Sequence, residues 1–388
     1  MPELSFVRKQ KLRALAKLMN QQNEMPIPVV RPLLDIMDLV MNEDETEFLL
    51  KAGTQRRTYE ELFALSGMKQ DEFADLFHGL LDKGLLWERS TTPPTFELAP
   101  ILVGWMELQL CRGGEGEQEK EFVRRFSNLI DALKLGAKFP FRNIQNLVYR
   151  HITQPYQSIA PVAGAAPAKG VIRVNRNVDH SGFNVYPADD ACELVERAGR
   201  NDNVALMHCF CRQWRKMSDE SCRFGVPAES CLVVGELAYH AVKAKFGRSI
   251  STKDALKILE ETRDAGVVHT VFHERDDPKL PPAAICNCCW DCCGVYGSYN
   301  RGFLPMHFNA YHIARVKDES ACVGCGDCEW HCPTTAVKVK GGKVRILEKR
   351  CIGCGQCVHQ CSHAALELKP LPRPVFLPIL KPSEARLG

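Results

Sequence analysis

Two cysteine runs of identical spacing constrain this chain of 388 residues more than any other feature. Cys322-x2-Cys325-x2-Cys328-x3-Cys332 is followed by Cys351-x2-Cys354-x2-Cys357-x3-Cys361, and each cysteine of the first run recurs 29 positions later. The segment is therefore an internal duplication. Three thiolates two residues apart, on loops loosened by Gly324, Gly326, Gly353 and Gly355, can reach three corners of one cube. Zinc sites pair two Cys-x2–4-Cys knuckles, a pattern that two consecutive runs of four do not match.

With Pro333 closing the first run, these motifs make residues 313–368 resemble the bacterial two-cluster ferredoxin family. The resemblance implies two [4Fe–4S] clusters that carry single electrons. As is general for the motif, the fourth cysteine of each run ligates the other cluster. One cluster then takes Cys322, Cys325, Cys328 and Cys361, and the other Cys351, Cys354, Cys357 and Cys332. Between the runs, 336–340 and 344–347 flank Gly341-Gly342, a hairpin signal. Ser362 stands where proline follows the first run, a departure that touches a turn and not a ligand.

Eighteen of the nineteen cysteines lie after residue 190, which leaves only Cys111 in the first half. No secretory pattern opens the chain, and no stretch approaches ~20 apolar residues. So many cysteines in a chain of that kind argue for metal ligation and not for disulfides. A cytoplasmic setting is expected, and an anaerobic one, since exposed low-potential clusters react with oxygen. The formal charge of +3 falls to about −1 once two clusters are counted, which removes any whole-chain argument for nucleic acid.

A second constellation lies upstream: Cys209, Cys211, Cys222 and Cys231, then Cys286, Cys288, Cys289, Cys292 and Cys293. Five cysteines within eight residues repel as thiolates unless a cation neutralises them. Sulfur-only ligation selects zinc or iron–sulfur, of which we expect one or two further iron–sulfur clusters. Their division is open: two four-thiolate sites, one from each group, or a single site drawing on both. Cys292-Cys293-Gly294 weakly resembles the Cys-Cys-Gly element of heterodisulfide reductase subunits, which implies a non-cubane, catalytic cluster. His208 and Arg212 read either as groups that tune a cluster or as a packed or surface histidine and a salt-bridged arginine, whereas His240 and Trp290 read as packing.

The fold class expected is multidomain α+β. Residues 1–159 are a helical region containing a winged-helix-like module at about 31–105. That resemblance rests on a capping box at Thr58-Tyr59-Glu60-Glu61, a second amphipathic helix over 71–83 and two strands around Pro93-Pro94. Residues 160–170 read as a linker and 171–312 as a cysteine-rich α/β domain, with strands at 171–174 and 204–207. Helices are expected over 188–198, 231–245 and 252–265, and 369–388 as a proline-rich tail, flexible or wrapped on a neighbour.

Helix 71–83 sets four acids against one lysine, which repels phosphates and favours protein docking or dimerisation over DNA. No dinucleotide fingerprint, Walker loop or nucleophile elbow is present. The chain therefore reads as an electron-transfer component of an oxidoreductase system with redox protein partners, more than a stand-alone enzyme. A reductase with a catalytic middle cluster and a DNA-binding redox sensor are the alternatives.

Overall fold

The computed structural model describes residues 4–22, 27–136, 141–152, 157–162, 191–199, 203–273 and 282–387. In the N-terminal region, helices Phe6–Asn20, Arg31–Val40, Glu43–Ala52, Tyr59–Ser66 and Gln70–Asp82 precede a hairpin of β1 (Leu86–Arg89) and β2 (Thr95–Leu98). Two of these helices start at capping boxes. At the second, the Glu61 N–H donates to Thr58 Oγ1 (3.3 Å) while Glu61 Oε2 accepts the Thr58 N–H (2.9 Å). The first pairs Asn42 with Glu45 in the same way.

An eight-stranded sheet forms the centre. Its strands are β3 (Gln157–Ala160), β4 (Val204–His208), β5 (Glu229–Val234), β6 (Arg248–Ser249), β7 (Val268–His273), β8 (Pro282–Cys288), β9 (Met306–Val316) and, after a separate hairpin, β12 (Leu366–Leu377). The order is β12-β9-β3-β7-β8-β5-β4-β6, antiparallel except for the parallel β3–β9 pair. An α/β reading implies a parallel sheet. Here β4 pairs with β5, and β7 with β8, in the opposite sense.

Side chains alternate across this sheet with a period of two. Ala205, Met207, Val233 and Ala284 face one core, shared with the N-terminal helices. Val204, Leu206, Leu232 and Ile285 face the other, under helices Ala191–Gly199 and Thr252–Asp264. Phe126 seals the first layer edge-on to Phe210 (4.9 Å) and Trp214 (4.8 Å).

Several expectations need correction. Residues 231–245 are not one helix: Cys231 lies in β5, and the helix is Gly235–Lys243. The run of valines at 233–234 is buried on both sides of a sheet, so strand pairing wins. Ala160 belongs to β3, and the Val162 N–H donates to Cys354 O (3.0 Å), so the linker begins inside the fold. The rest of that linker and the strand expected at 171–174 lie outside the described residues. The proline-rich tail is not loose, because β12 runs on to Leu377. As the outermost strand it tolerates Pro370 and Pro374, and a bulge between Pro370 and Arg373 takes Pro372 out of the ladder.

The remaining hairpin, β10 (Val337–Lys340) and β11 (Lys343–Ile346), turns at Gly341-Gly342. Both glycines have positive φ (+59° and +72°), as a two-residue hairpin turn requires. Beside it, short helices Asp327–Trp330 and Gln356–His359 follow the two cysteine loops.

Candidate metal centres

The two cysteine loops fold so that members of different runs meet. Cys322, Cys325 and Cys328 line one open-mouthed recess together with Cys361, across from Val339, Val344 and Leu366. Burial, then the neighbouring Cys361 and Cys325 thiols, push the Cys328 thiol up to about 11. The other set converges likewise. Cys351, Cys354 and Cys357 are each shifted up, first by burial and then by neighbours that include Cys332. Thiols held this way resist ionisation until a cation arrives. Backbone donors point at the sulfurs: the Ala336 N–H reaches Cys332 Sγ (3.1 Å) and the Ala314 N–H reaches Cys351 Sγ (3.3 Å). An apolar recess lined by four thiols at the first set, and N–H donors on the sulfurs at the second, suit sulfur-ligated iron clusters.

The middle cysteines separate into two groups that cut across their order in the sequence. Cys222, on the loop before β5, meets Cys289 (Sγ–Sγ 3.4 Å) and Cys292, just after β8. Cys289 and then Cys292 lower the Cys222 thiol well below its ordinary range by hydrogen bonding. The other six form a chain of electrostatic neighbours: Cys286 interacts with Cys231 and Cys288, Cys293 with Cys288 and Cys211, and Cys211 with Cys209. Gly294 closes on this chain, since a Cβ there would sit 3.3 Å from Cys211 Sγ. The Cys-Cys-Gly element thus leaves the room that Cys211 fills.

Each set draws on both stretches of the sequence, so a division into one four-thiolate site per stretch is not the arrangement seen. Arg212 does not serve its own neighbours alone: its Nη2 donates to Cys289 Sγ (3.1 Å), in the three-cysteine group. His208 packs its ring against Gly113. His240 is packing, as read: buried, it accepts the Glu88 N–H at Nδ1 (3.2 Å) and stacks near Trp87 and Phe246. Trp290 is buried between Trp330 (5.7 Å) and Phe224 (5.9 Å), with Arg386 over its face (3.8 Å).

Sequence reasoning passed over three residues. Cys111, the isolated cysteine of the first half, lies close enough to Cys231, Cys209 and Cys211 to feel their charge. Asp291 sits with Cys222, Cys289 and Cys292, one ligand atom of each within 4.8 Å of the others. An aspartate flanked by Trp290 and Cys292 was a visible signal. Tyr296 is fully buried, and burial, then Cys288, with Cys354 and Cys293 also near, holds its hydroxyl well above the usual range. Nothing in its local sequence marks that position.

Comparison with known proteins agrees with the C-terminal geometry. Residues 314–362 match the family model of a 4Fe–4S dicluster domain. No curated protein and no solved structure matches the chain. The C-terminal domain is therefore ferredoxin-like and iron–sulfur binding, and supports a role in electron transfer. No helix among the described residues is long and apolar enough to cross a membrane.

Proposed function

We propose that the chain is an electron-transfer component of an oxidoreductase system, passing single electrons between two [4Fe–4S] clusters and a further iron–sulfur centre in the middle domain. In this reading Cys322, Cys325, Cys328 and Cys361 hold one cluster and Cys351, Cys354, Cys357 and Cys332 the other. Cys209, Cys211, Cys231, Cys286, Cys288 and Cys293 supply the inner centre. Each cluster, when bound, takes up and releases one electron at a potential set by charge, hydrogen bonds to sulfur and solvent access.

The observation that carries the reading is Tyr296. It lies near Cys354 of the ferredoxin-like domain and near Cys288 and Cys293 of the middle domain, in one continuous apolar cluster with Ile352 and Trp290. Its hydroxyl lies in hydrogen-bond contact with Thr270 Oγ1 (3.1 Å), while the buried ring fills the apolar space. The exposed Cys325 is the natural outer contact for a redox partner.

The chain of six neighbouring thiols offers more ligands than one cubane takes, which favours a second reading: a non-cubane inner cluster that is itself catalytic. The winged-helix-like module belongs to protein docking in both readings. Hairpin β1–β2 packs on helix Gly235–Lys243, where Tyr239 donates to Glu88 Oε1 (2.8 Å) and the Ser90 N–H to Glu236 Oε2 (3.0 Å). A wing so engaged, behind a helix carrying Asp71, Glu72, Asp75 and Asp82, suits no DNA groove.

Anaerobic iron and sulfide analysis with EPR tests the reading. Wild-type protein should hold about twelve irons, falling toward about eight in Cys288→Ser/Cys293→Ser protein. About eight irons in both would remove the inner centre, and an EPR signal unlike a cubane that vanishes in the variant would favour the catalytic reading.

A further inference from the structure

We propose that Cys222, Cys289, Cys292 and Asp291 bind a single zinc ion in a closed four-coordinate site, separate from every iron–sulfur centre of the chain. The proposal goes beyond the electron-transfer reading and does not rest on it.

Distance separates this group from the others. One ligand atom from each of the four residues lies within 4.8 Å of all the rest, and Cys222 Sγ is 3.4 Å from Cys289 Sγ. Two thiolates sharing one tetrahedral zinc at ~2.3 Å stand about 3.8 Å apart. Thiolates on a cubane bind different irons at different corners and must stand further apart. Four donors this close match one ion and leave no room for a cube.

Asp291 supplies an independent sign. It is 4% exposed, and its Oδ2 accepts the Arg223 N–H (2.7 Å). Its Oδ1 is buried with no hydrogen-bond partner among the described residues. A buried carboxylate oxygen without a partner costs free energy that a bound cation removes.

Charge balance follows the same line. Three thiolates and a carboxylate carry four negative charges, of which zinc cancels two. Arg212, 5% exposed, brings a third positive charge to Cys289 Sγ. That guanidinium is fixed in turn by Pro227 O (2.7 Å) and Asn287 O (3.1 Å), as a group supporting a metal ligand should be. Zinc fits better than ferrous iron because its filled d shell accepts a mixed S3O set and its affinity for such sites is higher. With four protein donors and an apolar surround of Val226, Val267 and Phe224, no position remains open for substrate. The ion's role is to clamp the loop before β5 to the turn after β8.

The full chain, purified anaerobically without added metal, should contain one zinc per chain by elemental analysis. Its zinc X-ray absorption should show three sulfur neighbours and one oxygen or nitrogen. Cys222→Ala should lose that zinc and keep its iron, and Asp291→Asn should release zinc to a chelator at least tenfold faster. Wild-type protein without zinc, or a Cys222→Ala variant that loses iron instead, would overturn the proposal. If that variant does not fold, the wild-type absorption spectrum decides. A chain holding zinc but only about eight irons would support this site while refuting the inner iron–sulfur centre.

Discussion

Burial, with the positive charges of Arg89 and Arg112 nearby, pushes the His240 imidazole down to about 3 from its ordinary 6.5. The folded chain therefore keeps His240 neutral where the unfolded chain protonates it. Stability from this residue is complete above about pH 6.5 and is lost as the pH falls toward about 3. Thermal melting between about pH 6.5 and about pH 5 should show that loss. His240→Asn, which retains an acceptor for the Glu88 N–H, should flatten the slope; an unchanged slope would assign it to other groups. Asp291 and Tyr296 mark the limit of reading at this scale. Cysteines announce metal by type and spacing, whereas a tyrosine or an aspartate gains its role only from what the fold sets beside it.

Among the elements, the two cysteine loops were legible because each motif is local: spacing, glycines and the hairpin all lie within a few residues. The second loop is also the most tightly constrained. Gly353 has φ +71°, and a Cβ there would stand 2.1 Å from His312 O in β9. Gly353→Ala should cost at least about 2 kcal/mol in chemical denaturation and lower iron retention by the second run. The division of the middle cysteines was not legible. Cys222 and Cys289 are 67 residues apart and meet only because β5 pairs with β8. In isolation the prolines of strand β12 fit a flexible tail or one wrapped on a neighbour, and only its place at the sheet edge makes them acceptable in a strand.

Across the whole molecule, the ferredoxin-like domain and the sheet are joined by backbone and side-chain bonds as well as by apolar packing. Gln356 Nε2 donates to Val267 O (2.6 Å) and Arg263 O (3.1 Å), beside the Val162–Cys354 bond. Gln356→Ala leaves two carbonyls without that donor and should destabilise the chain by about 1–3 kcal/mol in a denaturant titration. On the proposed electron path, Tyr296→Phe should leave transfer between the domains unchanged in stopped-flow reduction. Tyr296→Leu should slow it several-fold, because the filled gap matters and the hydroxyl does not; equal rates in both variants would move the path elsewhere. The same anchoring bears on interchangeability. A foreign ferredoxin spliced in at 314–362 could bring all eight thiols and still lack the glutamine that grips the neighbouring sheet. In this chain the electron carrier is a fitted part and not a cassette.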